Sequence, residues 1–224
     1  MAIDLFGGLS DDDRRLVTGQ LVRRSFAMRE ALFLQGDVGD SLHIIERGRV
    51  AVRTATPDGD ELTLAVLGAG DFFGEQALIN DDARRTASVV ALDAVETRML
   101  HRRAFDELCR TRPSVQGLLV RLLASQVRRL SEQMLEVLYV PVEDRVVRSL
   151  IRLTDLFDRG DGGDVDVPVR QEDLASLAGT TRPTANRVLK RLEQEGLIVL
   201  GRGRTRVVDP VALRALSPDV ISPE

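Results

Sequence analysis

Cysteine is nearly missing from this 224-residue sequence, which contains only Cys109. A single thiol excludes an internal disulfide framework and any iron–sulfur cluster held by four thiolates of the same chain. Histidine is almost as scarce: His43 and His101 stand in separate segments. Zinc sites draw on clustered His and Cys, so no metal ligand is assigned and metal-dependent catalysis is not supported. Both histidines are expected to be surface or hydrogen-bonded strand residues, and neither recommends itself as an axial haem ligand. No apolar run approaches the roughly 18–20 residues needed to cross a bilayer. The opening Met1-Ala2-Ile3-Asp4-Leu5 has no basic start and no apolar stretch of the secretory kind. A cytoplasmic chain without a membrane partner is the expectation, and no internal repeat is found.

Lysine is also rare. Of 31 basic residues only Lys190 is not arginine, so anion contacts would be made by guanidinium groups, which bind phosphate or guanine bidentately. With 43% hydrophobic and 29% charged residues, the composition is that of a globular protein of one large or two small domains. The net charge of −4 has the wrong sign for a nucleic-acid binder, but it is unevenly spread. Residues 165–208 carry eight basic and five acidic side chains, a local +3 that leaves −7 elsewhere. A basic segment on an acidic chain implies a local anion-binding face.

Ser10 followed by Asp11, Asp12 and Asp13 reads as the N-cap and first turn of a short helix over residues 10–25. From about 26 to 100 the pattern becomes short β-prone pieces: Leu32–Leu34, Leu42–Ile45, Val50–Arg53 and Leu62–Leu67. Gly/Asp turns separate them, including Pro57-Asp58-Gly59-Asp60, and predict an antiparallel barrel or sandwich. A helical stripe then begins near Pro113: Val115, Leu119, Leu122, Met134 and Leu138, with Leu118, Leu123, Val127 and Leu130 between them, follow three-and-four spacing. It is longer than one small barrel can cover, so pairing with the same helix of a second subunit is expected. Val140-Pro141-Val142 interrupts the stripe, which predicts a hinge at residues 139–142. Asp158–Asp164 is expected to be a flexible acidic loop, and the tail after about 217 to be disordered.

Residues 170–208 carry the most specific signal. Leu174, Ala175, Leu177 and Ala178 form the apolar face of a short helix that Gly179 would end. Thr181 can cap the next helix, and Pro183 falls in its first turn, where a missing donor matters little. Ala185, Val188, Leu189 and Leu192 follow i, i+3, i+4, i+7, while Pro183, Arg187 and Lys190 face the other way with Asn186 on the flank. Two short helices joined by a small-residue turn, the second with a basic outer face, are a helix-turn-helix. Residues 196–200 and 205–208 flank Gly201-Arg202-Gly203 as a hairpin wing, with Arg202 and Arg204 placed for phosphates.

The run from Gln171 to Ile198 resembles the DNA-binding motif of the Crp/Fnr family of transcription regulators, and the likeness covers nearly the whole chain in matching domain order. The resemblance implies an α+β protein: an N-terminal cyclic-nucleotide-binding-type antiparallel β-roll (residues 1–112), a long dimerisation helix (113–139) and a C-terminal winged helix-turn-helix (140–224). It implies a homodimer on a palindromic double-stranded operator, and RNA polymerase as a candidate partner. Arg182 and Arg187 become base or phosphate readers, Arg187 facing guanine O6/N7. Thr181, Thr184, Asn186, Lys190, Arg202 and Arg204 complete the DNA-binding set. Pro183 stands where the best-known members carry a base-contacting glutamate, so the target site should differ there. Arg170 replaces the small hydroxyl residue that usually opens the first helix, making a poor cap and a candidate phosphate contact.

A second motif is Phe73-Gly74-Glu75-Gln76-Ala77-Leu78 with Arg84-Arg85-Thr86-Ala87. Gly74 permits a tight turn into a short helix, Glu75 can accept from a ribose hydroxyl, and Arg85 and Thr86 can hold a phosphate. This looks like the phosphate-binding cassette of cyclic-nucleotide-binding domains, and implies a small phosphate-containing effector such as cAMP or cGMP. Ser131 is the further effector contact. Where cAMP-responsive members place two adjacent polar residues on the long helix, this chain has Leu130-Ser131. The missing group would cost an adenine about 1–3 kcal/mol. By the resemblance, effector near Arg85 and Thr86 would bridge to this helix, bias the hinge, and set the recognition helices about 34–36 Å apart. Other readings stand beside this: an Arg85–Glu75 ion pair in an empty or differently occupied cavity, a ligand-independent regulator with a vestigial pocket, which Leu130 favours, and a cyclic-nucleotide phosphodiesterase, which the shortage of histidine and of a metal-ligand cluster disfavours.

Overall fold

The structure, a computed structural model, describes residues 8–56, 59, 61–79, 84–160 and 162–216. The tail after 217, the start of the chain and most of the Pro57–Asp60 turn lie outside them. Among the described residues no helix is long and apolar enough to cross a membrane. The chain divides into two compact units, Met1–Glu61 with Ala65–Ser131, and Glu132–Glu224 with Leu62–Leu64.

The first unit opens with α1 (Asp11–Gly19), where Ser10 Oγ accepts from the Asp13 N–H as the N-cap pattern predicts. The helix stops at Gly19 rather than 25. Val22–Phe26 is instead strand β1, because all five residues pair antiparallel with β8 (Val95–His101), a partner that local propensity cannot register. Two four-stranded sheets follow. One runs in the order β1-β8-β3-β6, with β3 at Ser41–Arg47 and β6 at Phe72–Phe73. The other runs β2-β7-β4-β5, with strands Ala31–Phe33, Ser88–Ala91, Val50–Ala55 and Glu61–Leu67. The four expected strands are present, and β1, β6, β7 and β8 are additional. Period-2 alternation gives the first sheet two apolar faces. Leu42, Phe72 and Leu100 pack with α2 (Arg102–Thr111) and the start of α3 (Gln116–Tyr139), whereas Ile45 and Phe73 meet Val50, Leu67 and Val89 of the second sheet.

α3 begins after a 3-10 turn at Pro113–Val115, close to where the stripe predicted it, and the unit boundary falls inside it. Leu118 and Leu122 are buried, but Val120, Val127, Leu130, Met134 and Leu138 lie on the surface of the single chain at 61–66% exposure.

In the second unit α4 (Val142–Phe157) starts immediately after Pro141, its N-cap, so the expected interruption is present. Strand β9 (Val165–Val167) follows, then α5 (Gln171–Leu177), α6 (Arg182–Gln194), β10 (Ile198–Gly201), β11 (Arg204–Val207) and α7 (Pro210–Ala215). The wing is a three-stranded sheet in the order β10-β11-β9, one strand more than the hairpin read from sequence. Asp158, expected in a flexible loop, is tied down: it accepts from the Gly160 N–H at 2.8 Å and from Arg214 Nη2 at 3.0 Å. Those donors, the Gly160 N–H first, hold its carboxyl below the usual range.

Candidate effector pocket and nucleic-acid interface

Gly74 and Arg85 meet in the first unit because one glycine makes room. Gly74 has φ +81°, and a Cβ there would lie 2.6 Å from Arg85 Nη1 and 2.8 Å from the Ser41 carbonyl oxygen. Any side chain would evict the guanidinium. Arg85 is 8% exposed. Its Nη1 donates to Ser41 O at 2.8 Å and Gly74 O at 3.4 Å, and its Nη2 donates to Ser41 Oγ at 3.0 Å. The guanidinium carbon lies 4.0 Å from the centre of the Phe33 ring, a cation–π contact.

Burial lowers the pKa of Arg85, opposed by the charges of Asp40, Asp37 and Glu75, yet an arginine stays a cation. Its Nε is buried without a hydrogen-bond partner among the described residues, a donor left over for an anion. The carboxylate that pairs with it is Asp40, at 4.0 Å. The Arg85–Glu75 ion pair that the sequence allowed is therefore not formed. Glu75 opens the 3-10 turn Glu75–Leu78, and Thr86 is exposed. Ser131 is not drawn into this group: its hydroxyl donates to Val127 O of its own helix at 3.0 Å.

Sequence reasoning missed Ser41 as the partner of Arg85, since a buried serine at a strand start carries no local signal. It anticipated His43 better, as a hydrogen-bonded strand residue. His43 is buried, its Nδ1 lies 3.1 Å from Thr97 Oγ1, and its ring stacks on Phe73 with centroids 5.2 Å apart. Desolvation, with the nearby Arg85 charge second, pushes its pKa down to about 4. Among the described residues no group of His, Cys, Asp and Glu could hold a metal ion.

The basic segment of the second unit sorts into engaged and unengaged cations. Arg187 and Lys190 stand on the exposed side of α6, Asn186 and Thr184 are half-buried beside them, and Arg202 lies at the wing turn. Opposite them Ala185, Val188, Leu189 and Leu192 are buried at 0–1% exposure. Thr181 occupies the N-cap of α6 with extended backbone, but its hydroxyl makes no cap hydrogen bond. It bonds Thr184 Oγ1 at 3.1 Å instead, a correction to the expected cap.

Arg182 is drawn to Glu172, with Nη1 to Oε1 at 2.7 Å, and Arg204 to Asp166 at 3.6 Å. Arg170 is a better helix opener than expected. Asp173 Oδ2 accepts from its backbone N–H at 3.1 Å, so the cap is made in reverse, and the Arg170 side chain pairs with the same carboxylate. Gly179 breaks the first helix with φ +59°, as expected.

A second residue, after Ser41, was also not anticipated. Arg145, on α4, donates Nε to Ala178 O at 2.9 Å and Nη2 to Gly179 O at 3.2 Å. Its Nη1 donates to Val137 O at 3.1 Å and Val140 O at 2.9 Å. It thus ties the end of α3 to the turn between α5 and α6. The only hint in the sequence is a cation near a helix N-terminus, against the dipole.

A β-roll holding a buried, partly unsatisfied arginine, followed by a winged helix-turn-helix, defines a class: transcription regulators that join a cyclic-nucleotide-binding-type domain to a DNA-binding domain. Comparison with known proteins agrees. The cyclic nucleotide-binding domain family matches residues 23–112, and the Crp-like helix-turn-helix domain family matches residues 144–216. A cyclic AMP receptor protein from Thermus thermophilus is 36% identical over 95% of this chain and 96% of its own length. A CRP-like cAMP-activated global transcriptional regulator from Mycobacterium tuberculosis is 31% identical over 88% of each chain. The crystal structure of the Thermus thermophilus catabolite activator protein, at 33% identity, covers 95% of this chain and 97% of that one with a TM-score of 0.53. The chain belongs to the Crp/Fnr family of DNA-binding transcription regulators.

Proposed function

We propose that this protein works in the cytoplasm as a homodimer on a palindromic operator, with no catalytic activity of its own, under control of a small phosphate-bearing effector such as cAMP or cGMP. The divisions at 112–113 and 139–140 separate sensor, dimerisation helix and DNA-binding domain. Arg85 is the effector phosphate ligand, with Gly74, Glu75 and Thr86 around it. The observation that carries this is the Arg85 Nε: a buried guanidinium nitrogen without a partner beside a glycine that admits no side chain. An unsatisfied buried donor costs about 1–3 kcal/mol, which an anion would recover. Ser131, whose hydroxyl already donates to Val127 O, joins the site as a hydrogen-bond acceptor. RNA polymerase is the further partner of a regulator of this kind.

Arg187, Lys190 and Arg202 make the direct DNA contacts, Arg187 to guanine, with Thr181, Arg182, Thr184 and Asn186 around the N-terminal end of α6. Arg170 and Arg204 are phosphate contacts at the edges. The exposed apolar face of α3 supports the dimer: its side chains repeat at seven-residue spacing through Val120, Val127 and Met134. To test the DNA limb, duplexes bound by the protein are selected from random DNA, and Arg187→Ala is titrated with the best of them. A loss of about 1–3 kcal/mol, with relaxed preference at one base pair, is expected. A loss confined to nonspecific affinity would leave Arg187 as a phosphate contact only.

A further inference from the structure

The two carboxylates at the start of α5 have different surroundings. Asp173 is buried and serves as the helix opener's partner, accepting from the Arg170 backbone and side chain. Glu172 makes no capping bond with its side chain. It lies at the surface, its Oε1 accepting from Arg182 Nη1 at 2.7 Å and its Oε2 4.0 Å from Arg170 Nη1. The anion therefore joins the N-terminal end of α5 to the first residue of α6, the helix end that a helix-turn-helix directs at DNA. The packing of α5 on α6 does not need it, since Leu174, Ala175, Ala185 and Leu189 are already buried.

We propose that Glu172 is an affinity-setting residue, an internal substitute for DNA phosphate that holds Arg182 until a duplex displaces it. This rests on the DNA-interface assignment above. Both side chains are substantially exposed, 63% for Arg182 and 48% for Glu172, so the pair is weak and salt-screened, and the dense charge of a duplex can break it. Breaking it deprives Glu172 of its internal cation, so on binding the carboxylate gathers one from solution and offsets part of the counterion release. The side chains of Arg187, Lys190 and Arg202, by contrast, make no hydrogen bond or ion pair among the described residues. The face thus combines cations ready for phosphate with one that must first leave a carboxylate, which lowers affinity for indiscriminate DNA.

The test uses the full chain, a labelled random-sequence duplex and the selected operator, with anisotropy titrations from about 50 to 200 mM salt. Glu172→Gln is expected to bind both duplexes about 2–5-fold tighter and to steepen the log–log salt slope by about 0.9. In an Arg182→Ala background that gain should vanish. Glu172→Asp keeps the charge but withdraws it from Arg182, and should also tighten binding. A Gln gain that persists undiminished without Arg182, or an Asp variant that binds like wild type, would show a simple field effect and overturn the proposal. Thermal unfolding of each variant separates a folding defect from these outcomes. If the wild type prefers neither duplex over competitor, the DNA-interface assignment itself fails, which is a different result from additive variants.

Discussion

His43 allows a quantitative test of the first unit. Its ring is packed between Phe73 and the tilted rings of Phe26 and Phe33, with the Arg85 cation close by, so a proton added to it is desolvated and repelled. Its pKa is 6.5 when free and about 4 in the fold. A group whose folded pKa is depressed this way leaves the unfolded chain binding more protons between those two values. Stability is therefore complete above about pH 6.5 and is lost as pH falls toward 4. The full difference, at about 1.4 kcal/mol per unit, comes to about 3 kcal/mol, of which about 2 kcal/mol is already lost at pH 5. That is a large share of the ~5–15 kcal/mol that holds a typical domain together.

The perturbation is a shift from pH 7 to pH 5, applied to the wild type and to His43→Gln, which does not titrate. Urea unfolding followed by far-ultraviolet circular dichroism measures both. The wild type should lose about 2 kcal/mol more than the variant over this interval. Carboxylates with lowered pKa values, such as Asp158, lose their contribution only at still lower pH. Equal pH dependence in the two proteins would refute the argument, as would a His43 ring resonance that titrates above pH 6. With only two histidines in the chain, that resonance is readily assigned.

Two further outcomes are expected. Arg85→Ala should abolish heats of cAMP or cGMP binding in calorimetry, and equal heats in wild type and variant would remove the phosphate role from this residue. Leu130→Glu, on the exposed face of α3, should shift the protein from dimer toward monomer in sedimentation equilibrium by at least about 2 kcal/mol, because it buries an unpaired charge in the seam. An unchanged dimer would mean that the two copies associate elsewhere.

The helix-turn-helix was legible because its determinants are local. Gly179 at the positive-φ break, Pro183 in the first turn of α6 and the apolar spacing of Ala185, Val188, Leu189 and Leu192 each specify backbone shape or burial within a few residues. The long α3 and the break at Pro141 were legible for the same reason. Strand β1 was not, because Val22–Phe26 becomes a strand only by pairing with β8, far along the chain. Thr181 had the right residue type for a cap, yet its hydroxyl found Thr184 closer to hand.

The sequence by itself determined which side chains could do the chemistry: an almost lysine-free set of guanidinium groups and one Gly-Glu turn followed by Arg85. Tertiary structure alone decided which of those arginines are already engaged. Arg85 is held by Ser41, Arg170 by Asp173, Arg182 by Glu172 and Arg145 by four backbone carbonyls, whereas the Arg187 and Arg202 side chains have no partner among the described residues. The physical reason is that a hydrogen bond or ion pair requires approach within about 3–4 Å. Arg170 finds Asp173 within one helical turn, but Ser41 lies 44 residues from Arg85 and Ala178 lies 33 from Arg145, and only the packing of elements remote in sequence brings those partners to that distance.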